Sequence, residues 1–419
     1  MRARAAVAGA AAGVIIGCAG CTSGPAPPQA SQTRPTAPAS LTVPGRALLS
    51  PGCSTATAKS PLLTRVSTAM APVSGDPFGV AVTPDGRWAF VANGGSIDVL
   101  RTGSALAPVT EATIPAQATS ASAAALGVAS LLGETLTPDG RYLLAATGGG
   151  AVVVSVARAE QGRRDAVLGT MSDPTGGDGA IEVAVSRDGD YAFVTQEDSL
   201  RVAVFNLHRA LTAGFGPGDF AGTIPVGIDP VGMAVSPDGR WLYVTSEAMA
   251  RSPGGMVGTL TVVNVARAEA DPAASVIATV AAGCNPVRVI TSADGGEVWV
   301  TARASDDLLC FSAADLRTDP RRALVAIVRV GEAPVGLMLV RNGSLVVVAD
   351  SNRFGAHGAT SDLTVVDAAA ALAGKPAVVG LIPAGLFPRE MALEPDGQHL
   401  LVTNFSSGQV EAVSIPTIP

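Results

Sequence analysis

The chain has 419 residues, of which 47% are hydrophobic and only 15% charged, and it contains 48 glycines and 30 prolines. This apolar content is enough to form a core, which argues against a disordered chain, and the many turn-forming residues predict short strands. The formal net charge of −7, without a basic stretch that includes aromatic residues, argues against nucleic acid as a partner.

The first residues predict an export signal. Two arginines precede an apolar stretch from Ala5 to Ile16 that is too short to cross a bilayer stably. This stretch ends in Ile15-Ile16-Gly17-Cys18, which resembles the bacterial lipobox, in which the cysteine is lipid-modified and becomes the first residue of the mature protein. Residues 1–17 are therefore predicted to be a lipoprotein signal peptide and Cys18 the lipidation site. An ordinary cleaved signal with an incidental cysteine is the alternative.

Residues 18–60 are rich in Pro, Ala, Ser and Thr, which predicts a flexible tether. A cysteine that carries two or more acyl chains holds a soluble domain stably at a membrane surface. The protein is therefore predicted to be exported and anchored by lipid to the cell membrane, facing outside the cytoplasm. No later segment is apolar enough to cross a membrane.

Residues 61–419 contain seven copies of one unit, each with an apolar strand, a tight Asp-Gly or similar turn, and a second apolar strand. The turn glycines recur at intervals of about 50 residues and are Gly86, Gly140, Gly189, Gly239, Gly295, Gly343 and Gly397. Asp-Gly and Asn-Gly supply the positive φ that hairpin turns need, and the flanking β-branched and aromatic residues suit a packed sheet.

Two more strand-like segments follow each hairpin, so each unit has the four strands of a propeller blade. The predicted fold is all-β: a seven-bladed β-propeller of four-stranded antiparallel blades. The last repeat lacks its fourth strand. The strand-like segment from Leu62 to Met70 is predicted to supply it, which closes the ring without an exposed edge.

The segments TPDGRWAFVAN (residues 83–93) and SPDGRWLYVTS (residues 236–246) resemble the YVTN-repeat, lactonase-like family of seven-bladed propellers. The resemblance covers about residues 60–419. It implies the propeller fold and allows a lactonase or other hydrolase in which Glu and Arg side chains around the channel polarise an ester. No diagnostic catalytic motif is matched, so no catalytic residue is assigned.

Alignment of the repeats isolates one position near the start of each innermost strand, called here the ring position. It is occupied in turn by Gly79, Gly133, Glu182, Gly232, Arg288, Gly336 and Glu390. Glycine suits the crowding around the axis, so the three charged residues depart from a local rule, and such departures often mark functional or strained sites. An ion-paired plug of these charges is the structural interpretation; a ligand site and a catalytic site are the alternatives.

The innermost strands begin at one end of the axial channel, called here the channel mouth, and the loops after the second strands add polar residues there. The predicted ligand-binding residues are Glu182, Glu197, Glu247, Arg288, Arg303, Asp350, Asn352, Arg353, His357, Arg389 and Glu390. One histidine cannot furnish a multi-histidine zinc site, so no metal ligand or cofactor is assigned, although the carboxylates leave a divalent cation such as calcium open. The low aromatic content, 4%, predicts no obvious stacking platforms at this end.

Three cysteines, Cys53, Cys284 and Cys310, lie in the exported part beyond Cys21. Export permits disulfides. A bond between Cys53 and Cys284 is the preferred pairing, with buried free thiols as the alternative.

The leading functional hypothesis is a monomeric, non-enzymatic envelope protein that binds a protein, a cell-wall fragment or a small ligand at the channel mouth. The second is a lactonase-like hydrolase that uses Glu and Arg residues there, with or without a divalent metal. Nucleic-acid binding is a third hypothesis, which the acidic charge disfavours.

Overall fold

The computed structural model describes residues 48–53, 60–103, 106–116, 130–248, 257–353 and 360–419. These residues belong to one compact unit, Leu48–Pro419. Cys18, the predicted signal peptide and His357 lie outside the described residues. The unit consists of seven four-stranded antiparallel sheets arranged as the blades of a propeller, which confirms the predicted fold.

The first strand, β1 (Thr68–Pro72), belongs to the last blade, and the other strands follow in chain order from the axis outward. Blade 1 contains β2 (Val80–Val82), β3 (Trp88–Ala92), β4 (Ser96–Arg101) and β5 (Val109–Pro115). Blade 2 contains β6 (Glu134–Leu136), β7 (Tyr142–Thr147), β8 (Gly150–Ser155) and β9 (Val167–Ser172). Blade 3 contains β10 (Ala180–Val185), β11 (Tyr191–Gln196), β12 (Arg201–Asn206) and β13 (Phe220–Pro225).

Blades 4 to 7 repeat this arrangement. Blade 4 contains β14 (Ile228–Val235), β15 (Trp241–Ala248), β16 (Val257–Asn264) and β17 (Val276–Cys284). Blade 5 contains β18 (Pro286–Thr291), β19 (Glu297–Ala302), β20 (Asp307–Ser312) and β21 (Leu324–Arg329). Blade 6 contains β22 (Pro334–Val340), β23 (Leu345–Asp350), β24 (Ser361–Asp367) and β25 (Val378–Ala384). Blade 7 contains β26 (Pro388–Leu393), β27 (His399–Asn404), β28 (Gln409–Ser414) and β1.

Short helices connect the third and fourth strands of blades 2 to 6. They are α1 (Val156–Ala159), α2 (Leu207–Ala213), α3 (Val265–Ala270), α4 (Ala313–Thr318) and α5 (Ala368–Leu372). The last four begin at a capping side chain that accepts a hydrogen bond from a backbone N–H three residues later, as Asn206 does from Arg209. Among the described residues, no helix is long and apolar enough to cross a membrane.

The ring of blades is completed by chain segments that are far apart in sequence. β1 pairs antiparallel with β28, with Thr68 opposite Val413 and Pro72 opposite Gln409. Beside the axis, the hydroxyl of Thr403 in blade 7 donates a hydrogen bond to the carbonyl of Phe78 in blade 1, at 2.9 Å. Blade 7 therefore has its full set of four strands, one of them from the start of the propeller, and a hydrogen bond near the axis joins blade 7 to blade 1.

The hairpin between the first two strands is closed in the same way in blades 1 to 5. In blade 1 the Thr83 hydroxyl donates to the Asp85 carboxylate at 2.6 Å and accepts from the N–H of Trp88 at 3.2 Å. Equivalent pairs of hydroxyl and aspartate are Thr137 with Asp139, Ser186 with Asp188, Ser236 with Asp238 and Ser292 with Asp294. These contacts explain why the sequence repeats Ser or Thr two residues before the turn aspartate.

A disulfide joins Cys53 to Cys284, with their Cα atoms 5.3 Å apart, which confirms the preferred pairing. Cys284 ends the outer strand of blade 4, immediately before the chain enters blade 5. Cys310 is buried in β20 and does not form a disulfide. The bond therefore attaches the segment before the propeller to the boundary between blades 4 and 5.

Candidate functional site at the channel mouth

The ring position lies at a β-bulge in blades 3 to 7, where the pairing between the innermost strand and its neighbour shifts register. A bulge redirects the side chain of the extra residue, and bulges are common beside functional sites. In blade 5, the N–H of Arg288 donates to the hydroxyl of Thr301 at 3.1 Å, and that hydroxyl donates to the carbonyl of Val335 in blade 6 at 2.6 Å. One threonine therefore holds the bulge and joins two blades.

The glycines at the other ring positions are required by close contacts with neighbouring blades. A Cβ atom on Gly133 would lie 2.6 Å from Oε1 of Glu182, and one on Gly336 would lie 2.1 Å from the carbonyl oxygen of Arg389. Real Cβ atoms do not approach other atoms so closely. The ring thus combines three large charged side chains with four glycines that leave room for the neighbouring chain.

The three charged ring residues meet at the axis as an ion-paired cluster. Arg288 is only 5% exposed. Its Nε lies 2.5 Å from Oε1 of Glu390 and 3.5 Å from Oε2 of Glu182, and its Nη2 also contacts Glu390. Because Arg288 is held mainly by Glu390, burial dominates at Glu182 and raises its pKa to about 8. The structure therefore forms the plug that was one interpretation of these residues.

A third carboxyl group, that of Glu134, lies beside the plug and was missed at the sequence level. Its Oε1 accepts a hydrogen bond from the N–H of Ala92 at 3.1 Å, whereas its Oε2 is buried without a hydrogen-bond partner among the described residues. Burial raises its pKa to about 8, and the charge of Glu182 adds to this effect. The available signal was a glutamate one residue after the ring glycine, in a short strand whose other two residues are uncharged.

A cavity of about 280 Å³ extends from the plug toward the hairpin end of the channel. Glu134, Glu182 and Glu390 line it together with apolar side chains such as Met233 and Met338. The charged ring residues therefore form one end of this partly apolar cavity.

Arg389 is surrounded by aromatic rings at the mouth. Its guanidinium lies 3.6 Å from the ring centroid of Phe78, 5.3 Å from that of Phe387 and 5.6 Å from that of Phe405. The expectation that this end lacks stacking platforms is wrong, because these few aromatic residues come from blades 1 and 7 and meet only when the ring closes. Burial, followed by the charge of Arg288, lowers the pKa of Arg389 to about 9.

On the other side of the mouth, Glu247 and Arg303 form a nearly buried ion pair of 2.6 Å, and Asn285 donates a hydrogen bond to the same carboxylate oxygen at 3.0 Å. Burial raises the pKa of Glu197, and the charges of Glu247 and Asp229 raise it further. Asp229 and Asn285 were missed at the sequence level. They have positive φ angles of 53° and 51°, a backbone conformation that non-glycine residues seldom adopt away from constrained sites.

The remaining predicted residues differ in their placement. The guanidinium of Arg353 lies 5.3 Å from the ring centroid of Phe387, next to the Arg389 group, and the side-chain amide of Asn352 donates to the carbonyl of Thr360 at 2.8 Å. Asp350 is not part of the mouth cluster: it is buried beside Gly331 and accepts a hydrogen bond from the Thr364 hydroxyl at 2.5 Å. Burial raises the pKa of Asp350 well above its usual value.

The fold and the charged, aromatic mouth define a seven-bladed propeller with a candidate small-molecule site on its axis. The family model described as "Lactonase, 7-bladed beta-propeller" matches residues 55–265, half of the chain. The protein belongs to this lactonase seven-bladed propeller family.

Among solved structures, hydrazine synthase of Kuenenia stuttgartiensis is similar, with 15% sequence identity and a TM-score of 0.63 over 83% of this chain and 98% of that chain. At this identity the likeness shows the fold alone. No curated protein matches this sequence.

Proposed function

We propose that this protein is a lipid-anchored envelope propeller that binds a small organic anion at the channel mouth without transforming it. The observation that carries this proposal is Arg389. Its guanidinium is largely buried against Phe78, and its Nε is buried without a hydrogen-bond partner among the described residues. A buried cation of this kind is costly unless an anion accompanies it.

The charges around Arg389 favour an anionic ligand. Arg288, Arg353 and Arg303 each lower its pKa, and the carboxylate that opposes them, Glu390, is already bonded to Arg288. A carboxylate is the group that a planar guanidinium binds best, through two parallel hydrogen bonds.

The aromatic rings favour a flat or apolar body on the same ligand. Phe387 and Phe405 have ring centroids 5.3 Å apart and lie beside the guanidinium. A ring placed on such side chains buries apolar area while its carboxylate reaches Arg389. An arylcarboxylate or a cyclic carboxylic acid therefore fits this half of the mouth.

Calorimetric titration of the mature protein in detergent with benzoate and phenylacetate tests this proposal. Both acids should bind, and benzamide, the uncharged analogue of benzoate, should not. Arg389→Gln should weaken binding by at least tenfold, since a hydrogen bond to a charged group contributes about 1.5–3 kcal/mol.

Arg317→Gln is the matched control, because Arg317 also stacks on an aromatic ring, that of Trp241 at 5.0 Å, but lies in α4 away from the channel. Equal affinity in both variants would refute an anion site at Arg389.

Hydrolysis of a lactone is the second candidate, and the environment of Glu197 favours it. Burial and neighbouring carboxylates raise its pKa, the direction that makes a carboxylate a stronger proton acceptor. Arg303, whose charge is also felt at Glu197, would stabilise an oxyanion. Turnover of a lactone that Glu197→Gln abolishes, with anion binding retained, would replace the non-enzymatic proposal with this one.

The membrane anchor is proposed on the residues Ile15-Ile16-Gly17-Cys18. Mass spectrometry of the mature N-terminus should find an acylated Cys18, and Cys18→Ser should release the protein from the membrane fraction. A mature N-terminus elsewhere, without lipid, would reject the anchor and leave the ligand proposal intact.

A further inference from the structure

A group of metal-ligating side chains lies on the hairpin of blade 7, at the opposite end of the blades from the channel mouth. Ligand atoms of Glu394, Asp396 and His399 all lie within 4.8 Å of one another. Oε2 of Glu394 is 3.1 Å from Nδ1 of His399. One imidazole nitrogen with two carboxylate oxygens is a donor set that zinc and related divalent metals accept, whereas calcium prefers oxygen alone.

Comparison with the other hairpins shows that the turn does not need these residue types. In blades 1 to 5 the position of Glu394 holds Ser or Thr, whose hydroxyl bonds to the turn aspartate. Blade 7 keeps the backbone bonds of this turn, because Glu394 N donates to His399 O and Gly397 N donates to Glu394 O, both at 2.9 Å. The side chains of Glu394 and His399 therefore differ from those of the other hairpins, although the backbone hydrogen bonds of the turn are kept.

The burial of Glu394 is a second reason to expect a cation. This side chain lies where blades 1 to 5 have a small hydroxyl, and the residue is only 5% exposed. A buried carboxylate requires compensation, and among the described residues its side-chain partner is a histidine, which is uncharged in its neutral form. A divalent ion would compensate both carboxylates and use the imidazole as a third ligand.

A cavity of about 450 Å³ adjoins the group and gives the remaining coordination positions access to solvent and solutes. Glu394 and Asp396 line one side, and Arg87 and Arg101 of blade 1 line the other. Three protein ligands with an open position is the arrangement of metal sites that exchange a water or a small anion.

We propose that Glu394, Asp396 and His399 bind a divalent transition-metal ion whose open coordination positions face the cavity between blades 7 and 1. The sequence had assigned no metal ligand, and the cation considered for the mouth involved other residues. The proposed site is independent of the anion site at Arg389.

The test uses the full mature protein after treatment with a chelator, titrated with Zn²⁺ by calorimetry and with Co²⁺ by visible absorption. One equivalent of each should bind, and Ca²⁺ should not compete. Glu394→Ser combined with His399→Trp rebuilds the hairpin of blade 4, where Ser236 and Trp241 stand at these positions. This variant should fold with the same metal-free Tm and lose the stoichiometric binding.

His208→Ala is the matched control, because His208 also faces a carboxylate, Asp190 at 3.6 Å, but is not in this group. Its Zn²⁺ binding should equal that of the unmodified protein. If the double variant is unstable, His399→Gln alone, which keeps a polar side chain, should lose the same binding. Undiminished binding in the blade 7 variants, or no stoichiometric binding in the unmodified protein, would overturn the proposal.

Discussion

The charged groups at the axis and those on the hairpin turns use the same residue types but experience opposite surroundings. Arg288 and Glu390 are buried at the channel, with side chains 7% and 16% exposed. Arg240 and Asp238 form an ion pair of 2.7 Å on the blade 4 turn, with side chains 73% and 44% exposed. Burial, rather than pairing distance, therefore decides how much each pair matters to stability.

Removal of the central cation should have the largest effect. Arg288→Met leaves Glu182 and Glu390 buried without their counter-ion, so the free energy of unfolding should fall by about 3–5 kcal/mol. Urea denaturation at pH 8 measures this change. Adding Glu182→Gln and Glu390→Gln should restore much of the stability, and a triple variant no more stable than Arg288→Met would show that the charges are not the cause.

The pH dependence of stability tests the buried carboxyl group of Glu134. The unfolded chain releases this proton near pH 4.5, whereas the folded protein holds it up to about pH 8. Between these values the folded state binds more protons, so the free energy of unfolding decreases with rising pH, by at most about 1.4 kcal/mol per pH unit. Glu182, whose pKa is also raised to about 8, contributes in the same direction, so Glu134→Gln should reduce the slope without abolishing it. Parallel curves for the two proteins would contradict a buried, titrating Glu134.

Adding one methyl group tests whether the ring position needs glycine. Gly336→Ala places a Cβ only 2.1 Å from the Arg389 carbonyl oxygen, so overpacking should cost about 1–3 kcal/mol. Gly216→Ala is the control, since a Cβ there meets no atom within 4 Å. Similar Tm values for the two variants would mean that the inner strands can move apart to admit a side chain.

The smallest effect is expected for the exposed ion pair on the blade 4 turn. Arg240→Met, the same replacement as at Arg288, should change the free energy of unfolding by less than about 1 kcal/mol, because solvent screens the exposed pair with Asp238. A loss comparable to that of Arg288→Met would remove burial as the explanation of the difference.

Sequence reasoning predicted the parts of the site that repeat with the blades. Glu182, Arg288 and Glu390 could be aligned because each occupies the same position in its own repeat. Residues at equivalent positions in the blades of a closed ring face the same axis. It did not predict the aromatic group around Arg389, since Phe78 and Phe405 are neighbours only across the junction of blades 1 and 7. Asp350 was predicted to lie at the mouth from its position in the repeat, but its side chain bonds to Thr364 within blade 6.

By itself, the sequence determined the number of blades, their order and the hairpin turns, because these follow from a short-range pattern repeated about every 50 residues. Only the tertiary structure decided which charges are paired, which carboxyl groups are buried and which side chains gather at the mouth and on the blade 7 hairpin. Those properties depend on distances between side chains that belong to different strands or blades. A change of a few ångströms in these distances alters the electrostatic environment of a residue, and the repeat pattern of the sequence does not reveal it.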